Sequence, residues 1–226
     1  TTNHTQSEAM AEWALWQAFD FLKHGPQHRA QQADGAWERV EMREMMDSRW
    51  LIVGFGSIGS AVGKRVQLLG GHVTGARRSP GPAEGADHIV PMALVKSELA
   101  QADIVLLSLP LTDETADMVD AEFLSAMRPD ALLMNLGRGP LVDEAALLAA
   151  LDAGRPAFAA LDVTVEEPLP KDSPLWRHPK VAITPHDSAA TAATYIRADE
   201  TFLDNLQRYL AGEPLKHVVS PETFAD

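Results

Sequence analysis

The sequence predicts a doubly wound α/β fold built on a parallel sheet. Three observations carry that prediction. From Trp50 onward, short apolar runs bounded by turn residues recur along the chain. Amphipathic stretches of helical length lie between several of them. The first run also leads directly into Gly54-Phe55-Gly56-Ser57-Ile58-Gly59, a glycine turn that opens a helix. Continuous apolar strands alternating with helices are what a parallel sheet covered on both faces requires.

Taken in order, the elements begin with "SEAMAEWALWQAFDFLKH". Ser7 is placed to cap a helix running to about His24, and Pro26 to stop it. Met10, Trp13, Ala14, Gln17 and Phe21 share one face, while Leu15, Phe19 and Leu22 widen it. So broad a stripe is compatible with burial on two sides, a core and a partner subunit, but an ordinary core helix is the preferred reading. "HGPQHRAQQADGAWERVEM" reads as a polar connection. Strands are then expected at Trp50–Val53, Val73–Ala76, Ile104–Leu107, Leu132–Asn135, Phe158–Asp162 and Val181–Thr184. Helices are expected at Ile58–Leu69, Ala93–Ala100, Ala121–Met127 and Glu144–Ala153. No internal repeat or low-complexity segment interrupts the pattern.

Composition sets the outer limits. The chain has 226 residues, 46% of them hydrophobic and 23% charged, as an ordinary soluble globular protein has. No apolar run approaches the ~18 residues of a membrane span. With no cysteine there is no disulfide framework and no thiolate metal site, which fits a cytoplasmic protein. Nineteen basic against 32 acidic residues give a formal charge of −13, a field that repels nucleic acid and anionic membrane. An anionic ligand therefore needs local positive groups.

The glycine turn and the strand after it supply them. Gly54 permits the tight turn, Gly56 lets the backbone approach a pyrophosphate, and Gly59 allows close helix–strand packing. The N–H groups of Ser57, Ile58 and their neighbours then face the anion. In an NAD site an acidic residue about 20 positions on accepts hydrogen bonds from the adenosine ribose. Here that strand runs "HVTGARRSP", and Arg77 stands where the acid is expected. A carboxylate would repel a 2′-phosphate, whereas a guanidinium grips one through charge-assisted hydrogen bonds. Arg78 adds a second charge and Ser79 a hydroxyl. Two arginines could simply solvate a turn, but at the position that reads the ribose they favour NADP over NAD.

Four further segments follow in order: "DIVLLSLPLTDETADMVD", "ALLMNLGRGPLVDEAALLAAL", "FAALDVTVEEPLPKDSPLW" and "VAITPHDSAAT". With the glycine motif they resemble the D-isomer-specific 2-hydroxyacid dehydrogenases over nearly the whole chain. The resemblance assigns the catalytic arginine of an Asn-x-x-Arg-Gly pattern to Arg138. It assigns the glutamate before proline to Glu167 and the histidine of Thr-Pro-His to His186. It also implies cofactor contacts for the glycine-turn residues, including Phe55. Leu109 and Pro110 would meet the adenine side, Thr115 belongs to the same cofactor-binding set, and Asp162 would reach the nicotinamide carboxamide.

The chemistry of those residues is coherent. Reducing a 2-keto acid needs a hydride at the carbonyl carbon and a proton at its oxygen. A histidine is a suitable acid near neutral pH, and a neighbouring carboxylate orients it and favours its charged form. Arg138 would bind the substrate carboxylate and polarise the keto oxygen. Taken singly, each residue could be a surface ion pair, a loop glutamate or a structural histidine. All three follow expected strand ends, where open α/β sheets bind ligands.

The chain departs from the family in places. Thr164-Val165 replaces the usual Phe-Glu, and Asp187 follows the histidine where an apolar residue is usual. The second carboxylate either favours the imidazolium further or faces solvent. The family has two lobes, and the first has no counterpart here. Residues 1–188 are expected to form the NAD(P)-binding domain and 189–226 a return toward that lobe, so the chain is expected to be a cofactor-binding piece. The NADP-type turn is most similar to that of glyoxylate/hydroxypyruvate reductases, acting on small 2-keto acids. A nucleotide-sensing corepressor-type protein is the alternative, distinguished by its NAD preference. A methyltransferase would leave Arg138, Glu167 and His186 unexplained. The resemblance also implies a homodimer joined through the coenzyme domain.

Overall fold

Seven parallel strands form one sheet in the order β3-β2-β1-β4-β5-β6-β7. They are β1 (Arg49–Val53), β2 (His72–Arg77), β3 (His88–Pro91), β4 (Ile104–Leu107), β5 (Leu132–Asn135), β6 (Phe158–Leu161) and β7 (Val181–Ile183). The helices are α1 (Ser7–Leu22), α2 (Gly25–Asp34), α3 (Ser57–Leu68), α4 (Val95–Glu98), α5 (Ala121–Ala126), α6 (Glu144–Asp152) and α7 (Ala192–Ala211). The computed structural model describes residues 3–79 and 81–218. The last part of the expected C-terminal return, 219–226, lies outside the described residues. Six strands match the apolar runs to within one residue at either end.

The sheet explains why those runs are continuously apolar. Successive side chains point to opposite faces, and both faces are covered. Leu51, Val53, Val105, Leu107 and Leu133 enter one core, closed by Val95 of α4, Phe123 and Leu124 of α5, and Leu147 and Leu151 of α6. Trp50, Ile52, Ile104, Leu106, Leu132 and Met134 enter the other, closed by Met10, Trp13, Ala14 and Ala18 of α1 and Val62 and Val66 of α3. This is the doubly wound arrangement. β1 pairs with β2 on one side (Trp50 opposite Val73) and β4 on the other (Trp50 opposite Ile104), so the direction of winding reverses beside β1.

Several local expectations are corrected. Residues 25–34 form α2 rather than an irregular connection: Pro26 sits in its first turn, where a missing N–H costs nothing, and Gly35 ends it at φ 66°. Because α2 buries no residue, its sequence carries no apolar period. Ser7 does not cap α1. A short 3₁₀ turn, Asn3–Gln6, precedes it, and the Ser7 Oγ is buried with no partner among the described residues. The stretch 93–100 is broken into α4 flanked by 3₁₀ turns. On α1, Met10, Trp13, Ala14 and Gln17 are buried as expected, while Trp16 is 56% exposed.

Side-chain oxygens cap three helices. Asp120 accepts the Phe123 N–H, Asp143 the Ala146 N–H and Thr191 the Thr194 N–H, opening α5, α6 and α7. Only Thr194 of α7 is buried; Tyr195, Ile196, Phe202, Leu203, Leu206, Tyr209 and Leu210 are exposed. α7 is held to the N-terminal turn by Arg197, whose Nε donates to the Thr5 carbonyl at 2.9 Å. Among the described residues no helix is long and apolar enough to cross a membrane.

Candidate active site

The crevice beyond the carboxyl ends of β1 and β4 lies at the reversal of winding, where ligands of open α/β sheets bind. The glycine turn forms one wall. The N–H groups of Gly54 and Phe55 both donate to the Ala76 carbonyl at 2.9 Å, fixing the turn to the end of β2. Ser108 Oγ donates to the Gly54 carbonyl at 2.9 Å, fixing it to the end of β4. Gly54 has φ +92°, and a Cβ there would lie 2.6 Å from the Leu109 nitrogen. At Gly59 a Cβ would press on Ile52 at 3.1 Å, so α3 packs tightly on β1. The Phe55 ring is buried in the core; a Cβ on Gly75 would lie 2.4 Å from it. α3 begins at Ser57 on Gly56, whose lack of a side chain leaves the helix N-terminus uncapped.

Arg77 closes the outer end of this crevice. It is half-buried, and its Nη2 donates to the Gly81 carbonyl at 2.9 Å and the Pro82 carbonyl at 3.4 Å. Its Nε is buried with no partner among the described residues. Arg78 and Ser79 follow, exposed. A cleft of about 450 Å³ is lined by Gly54, Gly56, Arg77, Arg78, Leu109, Pro110 and Thr115. Thr115 also shapes the wall, donating to the Pro110 carbonyl at 2.9 Å and accepting the Thr112 N–H at 2.8 Å. A hollow of about 410 Å³ opens at the opposite, amino end of β1 and β2, so size alone does not select the site. The uncapped helix end, the unpaired guanidinium nitrogen and the apolar Leu109–Pro110 wall fit an anionic dinucleotide.

The other expected residues follow the next three strands on the same edge. After β5, Asn135 is 1% exposed; its Nδ2 donates to the Arg138 carbonyl at 2.9 Å and its Oδ1 accepts the Gly137 N–H at 3.0 Å. This clamp presents the exposed Arg138, whose Nη1 donates to the Gly137 carbonyl. After β6, Glu167 Oε1 accepts the Thr164 N–H at 3.2 Å. After β7, the His186 Nδ1 meets Glu167 Oε2 at 2.7 Å. Burial pushes the Glu167 carboxyl up. The hydrogen bond with His186, the Thr164 N–H and the charges of His186 and Arg138 outweigh it, and the carboxyl lies below its ordinary value. The structure thus joins Glu167 to His186 directly and brings Arg138 within electrostatic reach.

Residues 15–188 match the NAD binding domain of the D-isomer specific 2-hydroxyacid dehydrogenases. The chain belongs to this family. It is similar to glyoxylate/hydroxypyruvate reductase A of Salmonella choleraesuis (strain SC-B67), 33% identical over 91% of this chain and 65% of the relative. A D-isomer specific 2-hydroxyacid dehydrogenase of Xanthobacter autotrophicus Py2, solved with NADPH and MES, superposes with a TM-score of 0.87. The two are 35% identical, over 96% of this chain and 89% of that one. The NADPH-dependent glyoxylate/hydroxypyruvate reductase of Sinorhizobium meliloti, solved with NADP and sulfate, also gives 0.87, at 28% identity over 96% and 70%. The chain spans 54% and 65% of the length of the first curated relatives it matches.

Within this D-isomer specific 2-hydroxyacid dehydrogenase domain, sequence reasoning passed over three polar residues at strand ends: Ser108, Asn135 and Thr184. Each holds a site loop through contacts remote in sequence or made to backbone; Asn135 and Thr184 stood inside the Asn-x-x-Arg-Gly and Thr-Pro-His patterns but were not themselves given a role. Asp162 is 1% exposed, and its carboxylate takes donors from the His186 turn. Asp187 is exposed, and its N–H is one of those donors.

Proposed function

We propose that this chain binds NADPH and serves in the reduction of a small 2-keto acid, such as glyoxylate or hydroxypyruvate, to the 2-hydroxy acid. The observation that carries the reading is the Glu167–His186 pair at 2.7 Å, on the same sheet edge as the glycine turn and Arg77. When bound, the reduced nicotinamide supplies the hydride. The uncapped N-terminus of α3 would hold the pyrophosphate and Arg77, Arg78 and Ser79 the 2′-phosphate, while Leu109, Pro110 and Thr115 line the adenosine side. Because Glu167 is ionised at neutral pH, His186 Nδ1 carries a proton toward it. Nε2 is the nitrogen left to give its proton to the keto oxygen. Arg138 binds the substrate carboxylate and favours negative charge on that oxygen. Residues 1–188 would form the coenzyme domain, with 189–226 returning toward a second lobe. The exposed Trp16 and Phe19 on α1 support a homodimer contact there.

The test adds glyoxylate or hydroxypyruvate to the protein with NADPH and follows NADPH oxidation, beside fluorescence titrations with NADPH and NADH. His186→Asn should cost about 10²–10⁴ in turnover and leave NADPH binding intact. Unchanged reduction in that variant, or equal affinity for the two cofactors, would overturn the reading.

A further inference from the structure

The turn that carries His186 rests on a part-buried relay that begins on α1, at a residue 171 positions before Thr184. Trp13, 6% exposed, donates its indole N–H to Thr184 Oγ1 at 2.9 Å. The Thr184 hydroxyl, with its oxygen thus engaged, donates its own proton to Asp162 Oδ1 at 2.5 Å. Asp162 then gathers the backbone beyond. Its carbonyl accepts the His186 N–H at 2.8 Å. Its Oδ1 accepts the Asp187 N–H at 3.1 Å and the Ser188 N–H at 3.2 Å, and its Oδ2 also accepts the Ser188 N–H at 3.2 Å.

Three successive N–H groups therefore converge on one residue, and the first belongs to His186. That convergence matters because His186 has φ +54°, a left-handed conformation that a residue with a Cβ adopts only when its surroundings impose it. The same conformation delivers the imidazole to Glu167. The His186 N–H is held by the main-chain carbonyls of Asp162 and Thr184, and a carboxylate free to rotate could not hold the Asp187 and Ser188 N–H groups that continue the turn. Thr184 prevents rotation from one side, and Trp13 fixes the direction of the Thr184 proton by filling the acceptor side of its oxygen.

We propose that Trp13 and Thr184 are positioning residues for His186, acting through Asp162 to hold the 186–188 turn in the conformation that pairs the imidazole with Glu167. Asp162 is then chiefly the hub of this turn. The inference rests on the reading of His186 as the proton donor, but its structural content can be measured without turnover.

The experiment uses the full chain, with Thr184→Val, which keeps the shape and removes the hydroxyl, Thr184→Ser, which restores it, and Trp13→Phe, which removes the indole donor together with part of the buried ring. The first readout is the low-field proton resonance of the hydrogen-bonded His186 Nδ1–H, assigned by its loss in Glu167→Gln. It should be lost in Thr184→Val, weakened in Trp13→Phe and recovered in Thr184→Ser. Binding of 2′,5′-ADP, which uses only the adenosine end, should stay within about twofold, because the two sites share no partners. A resonance that survives unchanged in both Thr184→Val and Trp13→Phe would overturn the proposal. So would its loss in Thr184→Ser alongside normal 2′,5′-ADP binding. Should Thr184→Val fail to fold, Trp13→Phe and Thr184→Ser decide the matter together. If the resonance behaves as expected and no variant or wild type reduces a 2-keto acid, the relay stands and the functional reading falls.

Discussion

Alanine substitutions at Gly54 and Gly56, two residues apart, should separate folding from cofactor binding. At Gly54 the new methyl would lie 2.6 Å from the Leu109 nitrogen and Cβ and 2.7 Å from its Cα, and most of that obstacle is backbone. The residue also sits at φ +92°. Left-handed backbone costs a residue with a Cβ about 1–2 kcal/mol, and overpacking adds about 1–3 kcal/mol. Together they predict a loss of about 2–5 kcal/mol, which for a chain of this size lowers the melting temperature by about 4–20 °C. At Gly56 nothing lies within 4 Å of a built Cβ, and φ is −104°. Gly56→Ala should therefore cost no more than about 1 kcal/mol, the loss of a glycine N-cap, while its methyl occupies the approach to the α3 N-terminus and weakens NADPH binding sharply. The assay is a pair of thermal melts with NADPH titrations. Wild-type melting of Gly54→Ala would refute the turn geometry, and wild-type NADPH affinity in Gly56→Ala would refute placing the pyrophosphate there.

Three further outcomes are expected. Arg77→Ala should lose about 1.5–3 kcal/mol of NADPH binding, about 10- to 150-fold in Kd, with NADH affinity little changed; calorimetric titration of both cofactors checks this, and a parallel loss for both would contradict it. Asn135→Leu leaves the Gly137 N–H unpaired, while the Arg138 carbonyl keeps the Leu141 N–H at 3.2 Å; the cost should be about 1–3 kcal/mol, measurable by urea unfolding. Glu167 binds its proton less readily folded than unfolded, so it contributes stability above the unfolded carboxyl value that is lost as pH falls through the lowered folded one. The melting difference between wild type and Glu167→Gln should accordingly shrink from neutral to acid pH, and a gap constant across that range would count against the pairing.

The sheet was legible because parallel strands buried on both faces leave nearly unbroken apolar runs, as Ile104–Leu107 and Leu132–Asn135 do. β3 was not legible. His88–Pro91 is four residues at the sheet edge, with an exposed first residue and the rest half-buried, and it follows a Gly- and Pro-rich turn. α2 escaped because it buries nothing, and Pro26, read as the end of one helix, opens the next. At the site, Arg138, Glu167 and His186 were found through motifs. Their pairing was expected from the family resemblance and not from any local pattern, because Glu167 and His186 follow different strands and meet only when β6 and β7 lie side by side. Trp13 was read for its apolar surface alone. Its N–H finds Thr184 across 171 positions, a distance over which no local pattern carries information.

The sparse burial of α7 has a consequence for how this molecule comes apart. Its 20 residues give it a large share of the helical signal, yet Thr194 is its one buried residue, so little tertiary packing protects its backbone hydrogen bonds. Its amides should exchange through openings that leave the sheet untouched, and the first ellipticity lost on gentle heating should be its own. A melt followed at a helical wavelength will then record two events, of which only the second measures the doubly packed sheet. Since Arg197 grips the Thr5 carbonyl, the first event should take the Asn3–Gln6 turn with it, and that turn and α7 should loosen as a single unit.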